Sequence, residues 1–185
     1  PICRPDIIEM LKHDYRVQDV IDYSGLERDH VYLEGTGAMV LDHIGRVAYA
    51  ARSNRTNEVA LERFCTHFNF EPMVFDAVDS SGRPIYHTNV LMCIGTDYAL
   101  LGTEMITDPA RRQEIVVRLQ ETGRTVIHLT AEQIGEFAGN AIELEGRDGR
   151  VLALSARAYA SLYEEQIEII KQTAKPLPFD VPTIE

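Results

Sequence analysis

The chain has few basic residues, few cysteines and no long apolar run. Its 18 lysine and arginine residues face 29 aspartate and glutamate residues, which gives a net charge of −11. Because phosphate binding requires a basic surface, this charge disfavours a nucleic acid as partner. No stretch approaches the ~18 consecutive apolar residues of a membrane-spanning helix. We therefore expect neither a nucleic-acid-binding protein nor a membrane protein.

The three cysteines, Cys3, Cys65 and Cys93, are odd in number and far apart in the sequence. This pattern predicts reduced thiols in the cytoplasm rather than a disulfide framework. A basic-then-apolar leader of the secretory kind is also missing. The sequence also lacks Cys-x-x-Cys, clustered histidines, a Walker loop and a Gly-x-Gly-x-x-Gly turn. We therefore expect neither a metal nor a nucleotide cofactor.

The length of 185 residues, with 45% apolar and 25% charged residues, is typical of a globular chain with one sizeable core. The first residue is Pro1 rather than methionine, and the sequence stops abruptly at Glu185. We therefore expect residues 1–185 to be part of one domain that is truncated at both ends.

Apolar periodicity and turn residues predict a recurring order of elements. Helices are predicted over residues 4–13, 56–68, 109–122, 130–137 and 159–170. Asp108-Pro109 marks the start of the third helix, and the pattern Thr130-x-x-Gln133 predicts a capping box at the start of the fourth. Single strands are predicted over residues 17–23, 73–75, 125–129 and 179–185, and hairpins over residues 38–51, 87–101 and 140–154. A helix, a strand, a loop and a hairpin thus recur about every fifty residues, although the sequences of the units are not similar. Such repeats stack against their neighbours.

Three polar residues occupy the same place in these units. His87 follows Glu34 by 87 − 34 = 53 residues, and Asn140 follows His87 by 140 − 87 = 53 residues. In a closed ring of units these places would converge on one axis, which indicates a shared site. Each residue also has a structural interpretation, because a single histidine before an apolar strand is often structural and asparagine favours turns.

Three motifs resemble the guanidino-group-modifying enzymes. They are LEGTG at residues 33–37 followed by MVLD at 39–42, the long and specific IYHTNVLMCIG at 85–95, and the short FAGN at 137–140. The likeness runs through nearly the whole chain. It is greatest to the amidinotransferase and citrulline hydrolase branch, which is related to arginine deiminase and dimethylarginine dimethylaminohydrolase. The resemblance implies an α/β fold, the pentein propeller of five ββαβ units, of which this chain would hold about three.

The resemblance also implies a chemistry for the site. In this family a cysteine attacks the central carbon of a guanidino or ureido group, an amine leaves, and the covalent intermediate is hydrolysed. His87 would be the general acid and base, since imidazole both donates and accepts protons near neutral pH. Glu34 would bind the nitrogens of the substrate head group. Gly35 and Gly37 would let the backbone approach that planar group.

Two residues depart from the pattern of the arginine-processing members, which usually carry aspartate at the positions of Gly37 and Asn89. Both departures remove a negative charge from beside the head group, and Asn89 offers a donor and an acceptor to a urea. We therefore expect a neutral ureido substrate, with citrulline hydrolysed to ornithine. Dimethylarginine hydrolysis, arginine deimination and amidino transfer are the alternatives among enzymes. A small amino acid is the expected partner, no cofactor is implied, and a homo-oligomer is left open.

The nucleophilic cysteine of the family is expected beyond Glu185. Cys93 lies six residues along the predicted strand from His87, which is roughly 20 Å at ~3.3 Å per residue. Cys65 lies on the apolar face of a predicted helix, so both thiols are expected in the core. This chain alone should therefore be inactive. A non-catalytic pentein that only binds a partner is the competing class, and Glu34 and His87 at equivalent positions argue against it.

Overall fold

The computed structural model of the protein describes residues 4–35 and 37–181. Within these residues the strands form three separate three-stranded sheets, and each sheet defines one unit of the fold. The first unit contains β1 (Val40–Asp42), β2 (Val47–Ala51) and β3 (Glu71–Phe75). The second contains β4 (Met92–Ile94), β5 (Tyr98–Leu101) and β6 (Thr125–His128). The third contains β7 (Ile142–Gly146), β8 (Gly149–Ser155) and β9 (Lys175–Phe179).

In the described part of the chain, one or two α-helices lie between the second and third strands of each unit, and two more lie outside these connections. The helices are α1 (Pro5–Asp14), α2 (Glu58–Phe68), α3 (Pro109–Glu121), α4 (Ala131–Gly135), α5 (Ala156–Ser161) and α6 (Glu164–Lys171), of which α1 and α4 lie outside the connections. The first two strands of each sheet are antiparallel and form a hairpin, whereas the second and third strands are parallel. Parallel neighbours require a long crossover, which α2, α3 and the α5–α6 pair supply. The result is the ββαβ unit, three times over.

Helices α2, α3, α4 and α5 each begin at a side chain that accepts a backbone N–H. The carboxylate of Asp108 accepts the N–H of Ala110 at 2.9 Å, and Pro109 occupies the first turn of α3. Thr130 and Gln133 form the predicted capping box at the start of α4. These caps satisfy backbone groups that would otherwise lose their hydrogen bonds at the helix ends.

The core runs through all three units. Every residue of β2 is fully buried, and the large side chains of Tyr49, Leu100 and Leu152, one from each unit, belong to the same apolar cluster. The first strands of successive units contact each other, β1 with β4 and β4 with β7. The segments that precede these first strands are thereby brought to one end of the molecule.

Two predictions near the functional segments were wrong. Residues 17–23 do not form a strand, and Val17 and Val20 are exposed, so the apolar pattern there has no sheet to join. The strand predicted from residue 87 begins only at Met92, because Thr88–Val90 forms a 3-10 turn. His87 therefore lies before a tight turn rather than at the end of a long strand.

Two further predictions near the end of the chain were also wrong. The single last helix is two helices, since Leu162 between them adopts extended backbone angles of −73° and 142°. A strand was predicted only from residue 179 onward, whereas Lys175–Phe179 is the third strand of its sheet. Pro176 and Pro178 fit there because β9 pairs within the described residues only with β8, and an edge strand tolerates residues without an N–H.

A buried ion pair joins the first two units. Arg124, between α3 and β6, donates from its two terminal nitrogens to the two carboxylate oxygens of Asp42 at the end of β1, both at 2.9 Å. Its Nε donates to the carbonyl of Gly95 at 2.7 Å, and both charged side chains are almost completely buried. Paired charges in this geometry hold one another in place, and either one alone would be left without a counter-charge in the core.

Arg124→Met should therefore destabilise the intact protein by about 3–5 kcal/mol, because the Asp42 carboxylate would remain buried without its cation. Urea unfolding measures the change. Arg111→Met is the matched control, since Arg111 pairs with Glu114 at 2.8 Å on the exposed surface of α3 and its loss should cost less than ~1 kcal/mol. Equal effects of the two substitutions would contradict the importance of the buried pair.

Candidate functional site

Glu34 and His87 face each other across the junction between the first and second units. The imidazole Nε2 of His87 lies 3.5 Å from the Glu34 carboxylate, although 53 residues separate the two in the sequence. Glu34 lies in the loop before β1, where its N–H donates to the carbonyl of Arg55 at 3.0 Å. His87 directly precedes the 3-10 turn before β4. The side chains of His87 and Glu34 are partly exposed, at 23% and 40%, although the Nε2 atom of His87 itself is buried.

The imidazole ring of His87 rests against the backbone of Gly37. A Cβ atom added at Gly37 would lie 2.6 Å from the imidazole Nδ1 and 2.8 Å from Cγ, which no real side chain tolerates. Because Gly37 has no side chain, the imidazole ring of His87 fits beside its backbone. Gly35 adopts a φ of +47°, a left-handed conformation that favours glycine, and its surroundings are open.

Arg55 is part of the site although the sequence did not indicate it. Its Nη1 lies 2.7 Å from the same carboxylate oxygen of Glu34 that faces His87. This hydrogen bond, with a smaller contribution from His87, lowers the pKa of Glu34 below its usual value. Glu34 is therefore ionised, and the neighbouring guanidinium offsets its charge. Nothing in the sequence around Arg55 indicates this role, because Arg55 comes close to Glu34 only when the β1–β2 hairpin folds.

Asn89 and Asn140 lie together in a neighbouring cleft. This cleft has a volume of about 720 Å³, is bordered by the contacting first strands, and includes Gly35 in its lining. The N–H of Asn89 donates to the carbonyl of Gly37 at 3.4 Å, whereas the N–H of Asn140 donates to Phe137 at 2.9 Å. Of the three residues at 53-residue spacing, two meet directly, and Asn140 lies in the adjacent cleft.

Neither cysteine among the described residues is suited to nucleophilic attack. Cys93 and Cys65 are both free and buried. Burial raises the pKa of Cys93 to about 12 and that of Cys65 to about 11, so the thiolate form is rare near neutral pH. The distance estimated for Cys93 does not apply, because the chain turns at Thr88–Val90, but the prediction of a core thiol is confirmed by its burial. Cys3 lies outside the described residues.

Within residues 4–35 and 37–181, no three histidine, cysteine, aspartate or glutamate side chains are grouped as metal ligands. The helices in this part of the chain are too short or too polar to cross a bilayer.

Arg55→Gln should raise the pKa of Glu34 toward its usual value, because the substitution removes the main hydrogen bond that stabilises the carboxylate. Carboxyl ¹³C NMR of the intact protein as a function of pH measures this change. Arg83→Gln is the control, since Arg83 pairs with Asp79 instead, and it should leave the Glu34 titration unchanged. An unchanged Glu34 midpoint in Arg55→Gln would show that the ion pair does not exist in solution.

Solved structures of whole ArgZ and of its N-terminal domain share this fold. ArgZ in its apo form, an arginine dihydrolase from the ornithine-ammonia cycle in Cyanobacteria, matches with a TM-score of 0.68 at 15% identity over 96% of this chain. The N-terminal domain of ArgZ matches with a TM-score of 0.66 at 16% identity over 96% of this chain, both as a cysteine-to-serine mutant bound to substrate and as an asparagine-to-serine variant covalently bound to a reaction intermediate. The present chain spans 25% of whole ArgZ and 58% of that domain. The likeness establishes the α/β pentein fold.

Sequence comparison gives the family. No curated protein sequence matches this chain. A family model described as N,N dimethylarginine dimethylhydrolase, eukaryotic, matches residues 4–185, which is nearly the whole chain. Together with the shared fold of the guanidino-modifying enzymes, this match shows that the chain belongs to the N,N dimethylarginine dimethylhydrolase family.

Proposed function

We propose that the intact protein hydrolyses a C–N bond of a ureido amino acid, with citrulline converted to ornithine. The family and the fold support hydrolysis at a guanidino or ureido carbon. The observation that carries the choice of substrate is the Arg55–Glu34 ion pair beside His87. Because Arg55 already offsets the charge of Glu34, a cationic guanidinium would find no unpaired carboxylate in this pair. A neutral ureido group requires none.

The neutral residues around the pair support the same substrate. Gly37 and Asn89 carry no charge, and the arginine-processing relatives usually have aspartate at both positions. The amide of Asn89 offers both a donor and an acceptor to a urea. In this proposal Glu34 accepts N–H groups of the head group, and the Asn89 side chain supplies a neutral hydrogen-bonding partner from the adjoining cleft, to which Asn140 also contributes.

His87 is the proposed general acid and base. Its Nε2 is buried and has no hydrogen-bond partner within the described part of the chain, since Glu34 at 3.5 Å is beyond good hydrogen-bond geometry. A bound head group would give this nitrogen its partner. A proton taken by the imidazole can then pass to the departing amine, as general acid–base catalysis requires.

The nucleophile is proposed to be a cysteine outside residues 1–185, because Cys65 and Cys93 are buried and poorly ionised. Its thiolate would attack the ureido carbon, the amine would leave, and water would hydrolyse the resulting thiocarbamate. The ArgZ domain covalently bound to a reaction intermediate gives this route a precedent in a protein of the same fold. The dispersed, unpaired cysteines also fit a reducing compartment, and a cytoplasmic location is part of the proposal.

Dimethylarginine hydrolysis is the second candidate, and the family match favours it. The two candidates differ in the charge of the head group. A dimethylated guanidinium is a cation, so its binding would require Arg55 to release Glu34.

Steady-state kinetics of the intact protein should therefore give a higher kcat/KM for citrulline than for arginine or dimethylarginine. His87→Gln is the control for contaminating activity and should lower kcat by about 100-fold or more. A kcat/KM that is highest for dimethylarginine would replace the first candidate by the second. Activity on all three substrates that persists in His87→Gln would exclude His87 as the general acid and base.

Gly37→Ala should lower kcat by about 100-fold, because the new methyl group must displace the imidazole of His87 from its position near Glu34. Gly25→Ala is the matched control, since a Cβ atom at Gly25 meets nothing within 4 Å, and its kcat should equal that of the parent. A fully active Gly37→Ala variant would mean that this position of the imidazole is not the catalytic one.

A further inference from the structure

The hydroxyl group of Thr88 bridges the first and second units directly beside His87. Thr88 is completely buried. Its Oγ1 donates to the carbonyl of Ala38 at 2.7 Å and accepts the N–H of Ala51 at 2.8 Å. Ala38 belongs to the loop that carries Glu34, and Ala51 is the last residue of β2. One hydroxyl group thus fixes His87's neighbour to two separate segments of the first unit.

The residue on the other side of His87 is held by the same unit. The Oγ of Ser53, two residues beyond β2, donates to the carbonyl of Tyr86 at 2.7 Å. The carbonyl of His87 itself accepts the N–H of Val90 at 3.2 Å, which closes the 3-10 turn. The residues on both sides of His87 therefore hydrogen-bond to the unit that supplies Glu34, Tyr86 through its carbonyl and Thr88 through its hydroxyl group.

We infer that Thr88 is a positioning residue whose hydroxyl group sets the distance between His87 and Glu34. The inference rests on the proposed function of these two residues. Thr88 lies too deep to touch a substrate and acts through its neighbour. Its hydroxyl group donates to a buried carbonyl and accepts a buried N–H at once. A displacement of about 1 Å at a catalytic group can cost about 100-fold in rate, so the bridge has a measurable effect on catalysis.

Valine in place of Thr88 keeps the shape and removes both hydrogen bonds. The N–H of Ala51 would then lose the hydroxyl group that accepts it. The carbonyl of Ala38 would keep only the longer hydrogen bond from the Thr56 Oγ1 at 3.3 Å, and the junction would relax. Serine keeps the hydroxyl group and loses only a methyl group. The two substitutions thus separate the hydrogen bonds of Thr88 from its packing.

The test compares Thr88→Val, Thr88→Ser and Thr103→Val in the intact protein. Thr103 is a matched control, because it is also buried and its hydroxyl group pairs with His128 at 3.1 Å, away from His87 in the sequence. We expect Thr88→Val to lower kcat by about 30- to 100-fold with KM within about threefold of the parent. Thr88→Ser should restore kcat to within about threefold, and Thr103→Val should retain the parental kcat.

A spectroscopic measurement tests the positioning without turnover. In the parent protein, Glu34→Gln should shift the imidazole ¹⁵N resonances of His87 in NMR spectra, because the two side chains are 3.5 Å apart. In the Thr88→Val background this response should shrink, whereas in the Thr103→Val background it should persist. If no substrate is turned over but this pattern holds, the proposed function fails and the positioning role stands.

Any one of three results would overturn the inference. They are an unchanged kcat in Thr88→Val, a loss of kcat in Thr103→Val as large as that in Thr88→Val, or a full shift of the His87 ¹⁵N resonances on Glu34→Gln in the Thr88→Val background. Circular dichroism establishes that the variants fold. If Thr88→Val does not fold, Ser53→Ala replaces it. This change removes the hydrogen bond to the carbonyl of Tyr86 together with the one that the Ser53 Oγ accepts from the N–H of Arg55 at 3.0 Å. We expect a smaller loss of kcat in the same direction, and an unchanged kcat together with a full His87 response would again overturn the inference.

Discussion

The contact between the first and second units is the constraint on which the site depends. At the hairpin end of the junction, the ion pair of Arg124 with Asp42 is buried and bidentate. At the other end, the hydroxyl group of Thr88 bridges Ala38 and Ala51. Glu34 belongs to one unit and His87 to the next, so their separation is only as well defined as this junction. Polar bonds with fixed geometry define it more sharply than apolar packing, which has no preferred direction.

Charge around the pair follows from the same arrangement. The hairpin of the first unit returns Arg55 to Glu34, so the carboxylate enters the site already paired and with a lowered pKa. Beside it, Gly37 and Asn89 are neutral. A head group that binds there by hydrogen bonds need not supply a positive charge. The surroundings of the pair are thus close to neutral, although the chain has a net charge of −11. Because the hairpin places Arg55 beside Glu34, its fold favours a urea over a guanidinium in the proposed function.

Much of the architecture was predictable because the relevant signals are local. The capping box at Thr130 and the Asp108-Pro109 helix start depend on side chains within one turn, and the structure confirms both. The ββαβ order followed from the spacing of the three hairpins and from the resemblance. The 3-10 turn at Thr88–Val90 was missed because its apolar residues also fit a strand. The third strand of the last unit was placed too late in the sequence, because its prolines indicated a break and are tolerated in a strand only at a sheet edge. Spacing indicated Glu34 and His87, but the proposed roles of Arg55 and Thr88 rest on contacts that no sequence period shows.

The central claim is that Glu34 and His87 together bind and activate a ureido head group. A crystal structure of the intact protein with bound L-citrulline tests it most directly. We expect the N–H groups of the ureido group to donate to the Glu34 carboxylate, with a ureido atom about 3 Å from the imidazole Nε2 of His87. A ureido group bound elsewhere, with Glu34 and His87 left without substrate contacts, would contradict the account.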